Sequence, residues 1–162
     1  MANEQINIDT NTPGIVMLWL ILRNFKPSEA WGDPNKMDPL LLFFIDTFRA
    51  TLPQGCWIKV HCGYKEGGHT INSYHYLGKA IDWHVEGMPS ASAEAHLMRF
   101  LKEPKIINGA EFKLIDFMGV GVYPQWANPG FHTDTRGKRA SWSQIDGKYV
   151  AYDLGVSMLK TI

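Results

Sequence analysis

Apolar residues recur along this chain with two periods, one near 3.6 and one of 2. The order in which the periods alternate predicts a domain of helices and strands. Ile15 to Leu22 is an unbroken apolar run closed by Arg23; it is too short to span a bilayer and reads as a core helix. Asp38 followed by Pro39 marks a second start, since the carboxylate accepts a free backbone N–H and proline is tolerated at the first helical position. Leu41, Phe44, Ile45, Phe48 and Leu52 then follow at helical spacing until Pro53 and Gly55 end the run. A third helix is predicted from Ser90 as cap, with Ala93, Leu97, Phe100 and Leu101 as its apolar face. Glu94 suits its first turn, His96 falls on the polar side facing solvent, and Pro104 stops it.

Strand periodicity appears in Trp57 to His61 and, most clearly, in Lys79 to Val85. There Ala80, Asp82 and His84 share one face while Ile81, Trp83 and Val85 share the other. Phe117 to Tyr123 and Phe131 to Thr135 read as further strands, joined by the loop from Pro124 to Gly130. Ala140 to Ser143 and Lys148 to Tyr152 read as edge strands. A loop from Gly63 to Ser73, with Gly67 and Gly68 at its middle, precedes the central strand. The pattern predicts one α+β domain over residues 1–162, with helices packed on one face of a mostly antiparallel sheet.

The composition, 45% hydrophobic and 20% charged, is that of an ordinary globular chain. Equal numbers of basic and acidic residues give a formal net charge of zero, which argues against nucleic acid or an anionic membrane as partner. Arg136, Lys138 and Arg139 form a local basic patch. The two cysteines, Cys56 and Cys62, flank an extended segment and stand about 20 Å apart at roughly 3.3 Å per residue. That is beyond the reach of a disulfide, so both are expected as free thiols packed in or near the core rather than as a metal-binding pair. Met1 to Asp9 lacks the basic region of a secretory leader.

The chemistry lies in Ser73-Tyr-His-Tyr-Leu-Gly-Lys-Ala-Ile-Asp82 and Gly130-Phe-His-Thr-Asp134. Gly78 permits a sharp turn, so His75 in the preceding loop, Asp82 on the central strand and His132 on its neighbour are placed to share one divalent ion. Two imidazoles and a carboxylate suit Zn2+, whose catalytic sites use three protein ligands and leave a fourth position open. A lone strand histidine is more often a hydrogen-bonded structural residue, and His84 reads as packed, solvated or a spare ligand. His61 and His69 lie beside the cleft loop. Tyr64, Tyr74, Tyr76, Tyr123, Trp126 and Trp142 are candidates for a groove or for its rim. Gly119 and Gly121, alternating with valine in a strand, do not form a phosphate loop.

Together with Cys62-Gly-Tyr-Lys65, Gly119-Val-Gly-Val-Tyr-Pro124 and His132-Thr-Asp-Thr-Arg-Gly137, these segments resemble the M15 family of zinc peptidases. The family comprises D-alanyl-D-alanine carboxypeptidases and murein endopeptidases and is related in fold to the Hedgehog signalling domain. The resemblance runs from about Phe25 to Trp142. It implies Zn2+ held by His75, Asp82 and His132, hydrolysis of a peptidoglycan stem or cross-link peptide by a metal-activated water, and Ser73, Tyr123 and His69 toward substrate. The family's carboxypeptidases carry an acidic base shortly before the last histidine, whereas Ala127 to Phe131 contain none. Asp134 then stands as base or as the partner orienting a ligand. Lys65 replaces an arginine that grips a substrate carboxylate, and a lysine lacks that two-pronged hold, which favours an endopeptidase. The setting is a wall-cleaving enzyme made in the cytoplasm, phage- or host-derived, such as a phage lysin, or one whose leader has been removed, in either case without membrane insertion. The alternatives are a non-catalytic zinc-containing wall-binding module and a structural domain that keeps the fold without using the metal.

Overall fold

A computed structural model describes residues 13–161; the segment Met1 to Asp9, read above for a leader, lies outside the described residues. Six strands form one sheet in the order β1(Trp57–Cys62), β2(Ala80–Glu86), β6(Gly130–Asp134), β5(Gly119–Tyr123), β7(Ala140–Ile145), β8(Lys148–Val150). Every neighbouring pair is antiparallel except β5 with β7. A separate hairpin, β3(Lys105–Ile107) and β4(Ala110–Phe112), and four helices complete an α+β domain. The helices are α1(Pro13–Ile21), α2(Pro39–Arg49), α3(Ser90–Lys102) and α4(Tyr152–Leu159). No helix among the described residues is long and apolar enough to cross a membrane.

The sheet has one apolar face and one polar face, and the alternation within β2 assigns them. Ile81, Trp83 and Val85 are buried with Val120, Val122 and Phe131 in the hydrophobic core. Trp83 packs on Phe131 at 5.0 Å and on Phe48 of α2 at 5.5 Å between ring centroids. As expected, Asp38 caps α2 by accepting the Leu41 N–H at 3.0 Å, and Leu41, Phe44, Ile45 and Phe48 face inward. The core extends to α1 through Trp19, which meets Trp31 at 5.4 Å in an edge contact.

Several boundaries differ from the sequence expectation, each for a local reason. Ser90 is the first residue of α3 rather than its cap, because its hydroxyl donates to Pro129 O at 3.2 Å and ties the helix start to the β5–β6 loop. Glu94 lies beyond the first turn; it is buried and accepts the Tyr152 O–H at 2.7 Å. The edge strand expected over Lys148 to Tyr152 forms as β8 but ends at Val150, and α4 begins at Tyr152. His96 is half-buried: its ring packs on Phe48 at 5.6 Å and Nε2 meets Thr51 Oγ1 at 2.9 Å. Strand β7 is interior, parallel to β5, and only β8 lies at that edge.

Phe48 is fully buried among Phe44, Trp83 and Phe100, so Phe48→Ala should lower unfolding free energy by about 3–5 kcal/mol. Urea denaturation followed by tryptophan fluorescence measures it, and a loss under about 1 kcal/mol would contradict this account of the core.

Candidate metal centre

The polar face of the sheet carries a row of side chains set by strand register. Cys62 on β1 pairs with Asp82 on β2, Asp82 with His132 on β6, His132 with Gly121 on β5, and Gly121 with Trp142 on β7. His75 enters from above the row on a single 3-10 turn, Tyr74–Leu77. Ser73 caps that turn by accepting the His75 N–H at 3.3 Å, and Gly78 ends it at φ 67°, a left-handed conformation that glycine adopts without cost.

Three donor atoms converge. His132 Nδ1 lies 2.9 Å from Asp82 Oδ1, His75 Nε2 lies 3.4 Å from the same oxygen, and the two ring nitrogens are 3.3 Å apart. Each imidazole has a partner on its far side. His75 Nδ1 donates to Gly63 O at 2.7 Å, and His132 Nε2 donates to Asp134 Oδ2 at 3.0 Å. Those outer bonds set the tautomers, leaving an in-plane lone pair on each inner nitrogen directed at the carboxylate oxygen. Three acceptors at such separations repel unless protons or a metal cation stand among them. Ligands of a tetrahedral zinc at roughly 2.0–2.1 Å are themselves about 3.3 Å apart, so the triangle has the size that such an ion requires.

The same demand for positive charge appears in the titration of these groups. Burial opposes charging His75, yet its bonds to Asp82 and Cys62 outweigh it and push its pKa up to about 10. His132 is likewise raised against its burial by Asp134 and Asp82. Burial would raise the Asp82 carboxyl, but the two histidines hold it far below the usual carboxylate range.

Asp134 is fully buried and occupied on both oxygens. Arg136 Nε donates to Oδ1 at 2.7 Å and Nη2 to Oδ2 at 2.5 Å, beside the bond from His132. Despite burial, Arg136 and His132 lower its pKa to about 2. Arg136 in turn lies between the rings of Tyr74 at 5.0 Å and Trp142 at 4.7 Å. It is therefore part of the centre rather than of a basic patch with the exposed Lys138 and Arg139. The two glycines of β5 make room for this arrangement. A Cβ at Gly119 would stand 2.5 Å from Arg136 Nε, and one at Gly121 would stand 2.7 Å from Trp142 Nε1.

The centre opens into a cleft of about 780 Å³ that includes His69, Ser73, Tyr123, Trp126 and Gln144 in its walls. A smaller hollow of about 280 Å³ is lined by His61, Asp82, Trp126, Ala127 and Asn128. Tyr123 stacks on Trp126 at 4.2 Å, accepts the Trp142 Nε1–H at 3.3 Å, and has its pKa pushed up to about 12 chiefly by burial. His69 is fixed by Tyr76, whose hydroxyl accepts the His69 N–H at 2.9 Å and donates to its carbonyl at 2.7 Å. Lys65 is exposed and does not line the cleft. Beside the hollow, Glu86 accepts from His84 Nε2 at 2.9 Å, and His84 Nδ1 stands 2.6 Å from His61 Nε2. His84 is thus a buried link rather than a solvated residue.

Both cysteines are free thiols, as expected. Cys62, read from sequence as core packing, instead joins His69, His75 and Asp82 in a cluster whose donor atoms all lie within 4.8 Å of one another, a set that could hold a metal ion. The tighter set is His75, Asp82 and His132. His69 and His75 are stacked at 4.2 Å and 10° from parallel, and two parallel rings cannot aim lone pairs at a single ion.

Asp134→Asn should keep the fold and weaken metal binding about 10–100-fold, because the His132 tautomer loses its anionic partner. Calorimetric titration of the metal-free chain with zinc reads this, and unchanged affinity would remove Asp134 from the centre. Compared with models of known protein families, with curated proteins and with solved structures, the chain matches none.

Proposed function

We propose that this chain is a zinc peptidase of the M15 type, with the related Hedgehog-like fold, cutting peptide bonds within the stem or cross-link peptides of bacterial peptidoglycan. The observation that carries the reading is the donor triangle of His75 Nε2, Asp82 Oδ1 and His132 Nδ1, with edges of 2.9 to 3.4 Å and both imidazoles tautomerically fixed from outside. A zinc ion bound there supplies Lewis acidity toward a carbonyl and an activated water.

The remaining roles fall to the chain's own groups. Asp134 positions His132 rather than accepting a substrate proton, since both its oxygens are engaged by Arg136 and His132. Tyr123, kept protonated by burial, faces the cleft and donates to the oxygen on which charge develops. His61, which lines the hollow with Asp82 and is backed by His84 and Glu86, would take the water's proton. Ser73 and His69 line the cleft, while its aromatic walls suit a peptide lying flat across them.

Asp82 borders both the main cleft and the hollow. We take the two spaces together as room for a peptide beside the centre. Arg136 is consumed by Asp134 and Lys65 stands outside the cleft, so among the described residues the walls present no free cation for a terminal carboxylate. Both features favour internal cleavage. The engagement of Asp134 also favours a second reading, a non-catalytic wall-binding module that uses the metal only for its shape.

Purified sacculi incubated with the chain should release soluble peptides with new termini, identified by mass spectrometry. A chelator or His132→Ala should abolish that release with circular dichroism unchanged, and His61→Ala should slow it by about 10²–10⁴ while zinc affinity persists. Binding to sacculi without any release would select the wall-binding module. Zinc at about 100 times its dissociation constant should add about 2.7 kcal/mol of stability, and a melting temperature indifferent to zinc and chelator would sink the metal reading altogether.

A further inference from the structure

The roles above leave Cys62 unused. Along β1, Ile58 and Val60 face the core, and strict alternation would send residue 62 the same way. Instead the pairing with β2 slips by one residue between Val60 and Cys62. His61 is the inserted residue, and both side chains end on the polar face. His61 reaches His84, while Cys62 Sγ lies 3.7 Å from His75 Nδ1 and 3.6 Å from His69 Nε2. A bulge gives up ladder pairing and re-aims a side chain; here it turns a thiol onto the polar face, within 4.8 Å of a donor atom on each of His75 and Asp82. Cys62 becomes the cross-strand neighbour of Asp82 on one side, as His132 is on the other.

We propose that Cys62 is a fourth protein ligand of the same ion, so that the resting centre is closed by two imidazoles, one carboxylate and one thiolate. The inference rests on the zinc reading above. The thiol gives its proton to solvent as the metal–sulfur bond forms. His69 stays outside the set because its ring lies parallel to that of His75; it walls the thiol side of the site. A centre with four protein ligands is of the closed, structural kind, whereas three ligands and an open position make the reactive kind. Cys62 would therefore hold the position that a substrate carbonyl or water needs, and the centre would open when the thiolate takes back a proton from solvent and water replaces it. A thiolate donor also turns the site away from magnesium and calcium and toward zinc.

Cobalt is the probe. The metal-free full-length chain titrated with Co2+ should show the visible bands of a tetrahedral ion together with a near-ultraviolet thiolate-to-cobalt charge-transfer band. Cys62→Ser should keep the visible bands and lose the charge-transfer band, while Cys56→Ser keeps both. In the unaltered chain, zinc should slow iodoacetamide labelling of Cys62 by at least about tenfold relative to Cys56, read by peptide mass spectrometry, because a coordinated thiolate is a poor nucleophile. Visible bands without charge transfer, or equal protection of the two cysteines, would overturn the thiolate ligand and leave the three-donor centre standing. Failure of the unaltered chain to bind either metal would overturn both.

Discussion

Everything at the polar face of this sheet depends on one electrostatic constraint: three electron-rich atoms are held about 3 Å apart. Backbone pairing sets Asp82 opposite His132, and the capped turn from Ser73 to Gly78 lowers His75 onto them. Outer bonds to Gly63 O and Asp134 take the protons of the two rings away from the middle. The arrangement is unfavourable in isolation and favourable around a cation. The surrounding structure supplies the rigidity that prevents the three atoms from relaxing apart.

That rigidity comes from a second layer whose members have few alternatives. Arg136 holds Asp134 through two nitrogens, and the rings of Tyr74 and Trp142 hold Arg136. The glycines at 119 and 121 are the spaces into which this layer fits. On the opposite face, valines at 120 and 122 enter the core. One short strand therefore serves packing with its side chains and the centre with their absence.

Much of this was legible in the sequence, because residue identity and local period carry it. Asp38 and Pro39 announced α2, the alternation of β2 assigned its two faces, and the histidines with Asp82 marked the donors. What was not legible depends on pairing between distant strands. Cys62 reads as core by alternation, and only the slip at His61 turns it over. Arg136 reads as one of three basic residues until Asp134 is found beside it. Tyr152 reads as strand because its partner, Glu94, lies 58 positions away. The hairpin of β3 and β4 carries a local signal in Asn108-Gly109: both residues take positive φ, at 50° and 79°, as a tight two-residue turn demands.

The strict division of the sheet into an oily side and a wet side carries an evolutionary consequence. If the alignment of β2 with its neighbours shifted by a single position, Trp83 would swing into the cleft and Asp82 into the hydrocarbon interior. The core and the donor triangle would be lost in the same event. Natural variation is thereby steered out of the ladder and into the connecting segments, so that descendants of this chain can change what they grasp without renegotiating how they are built.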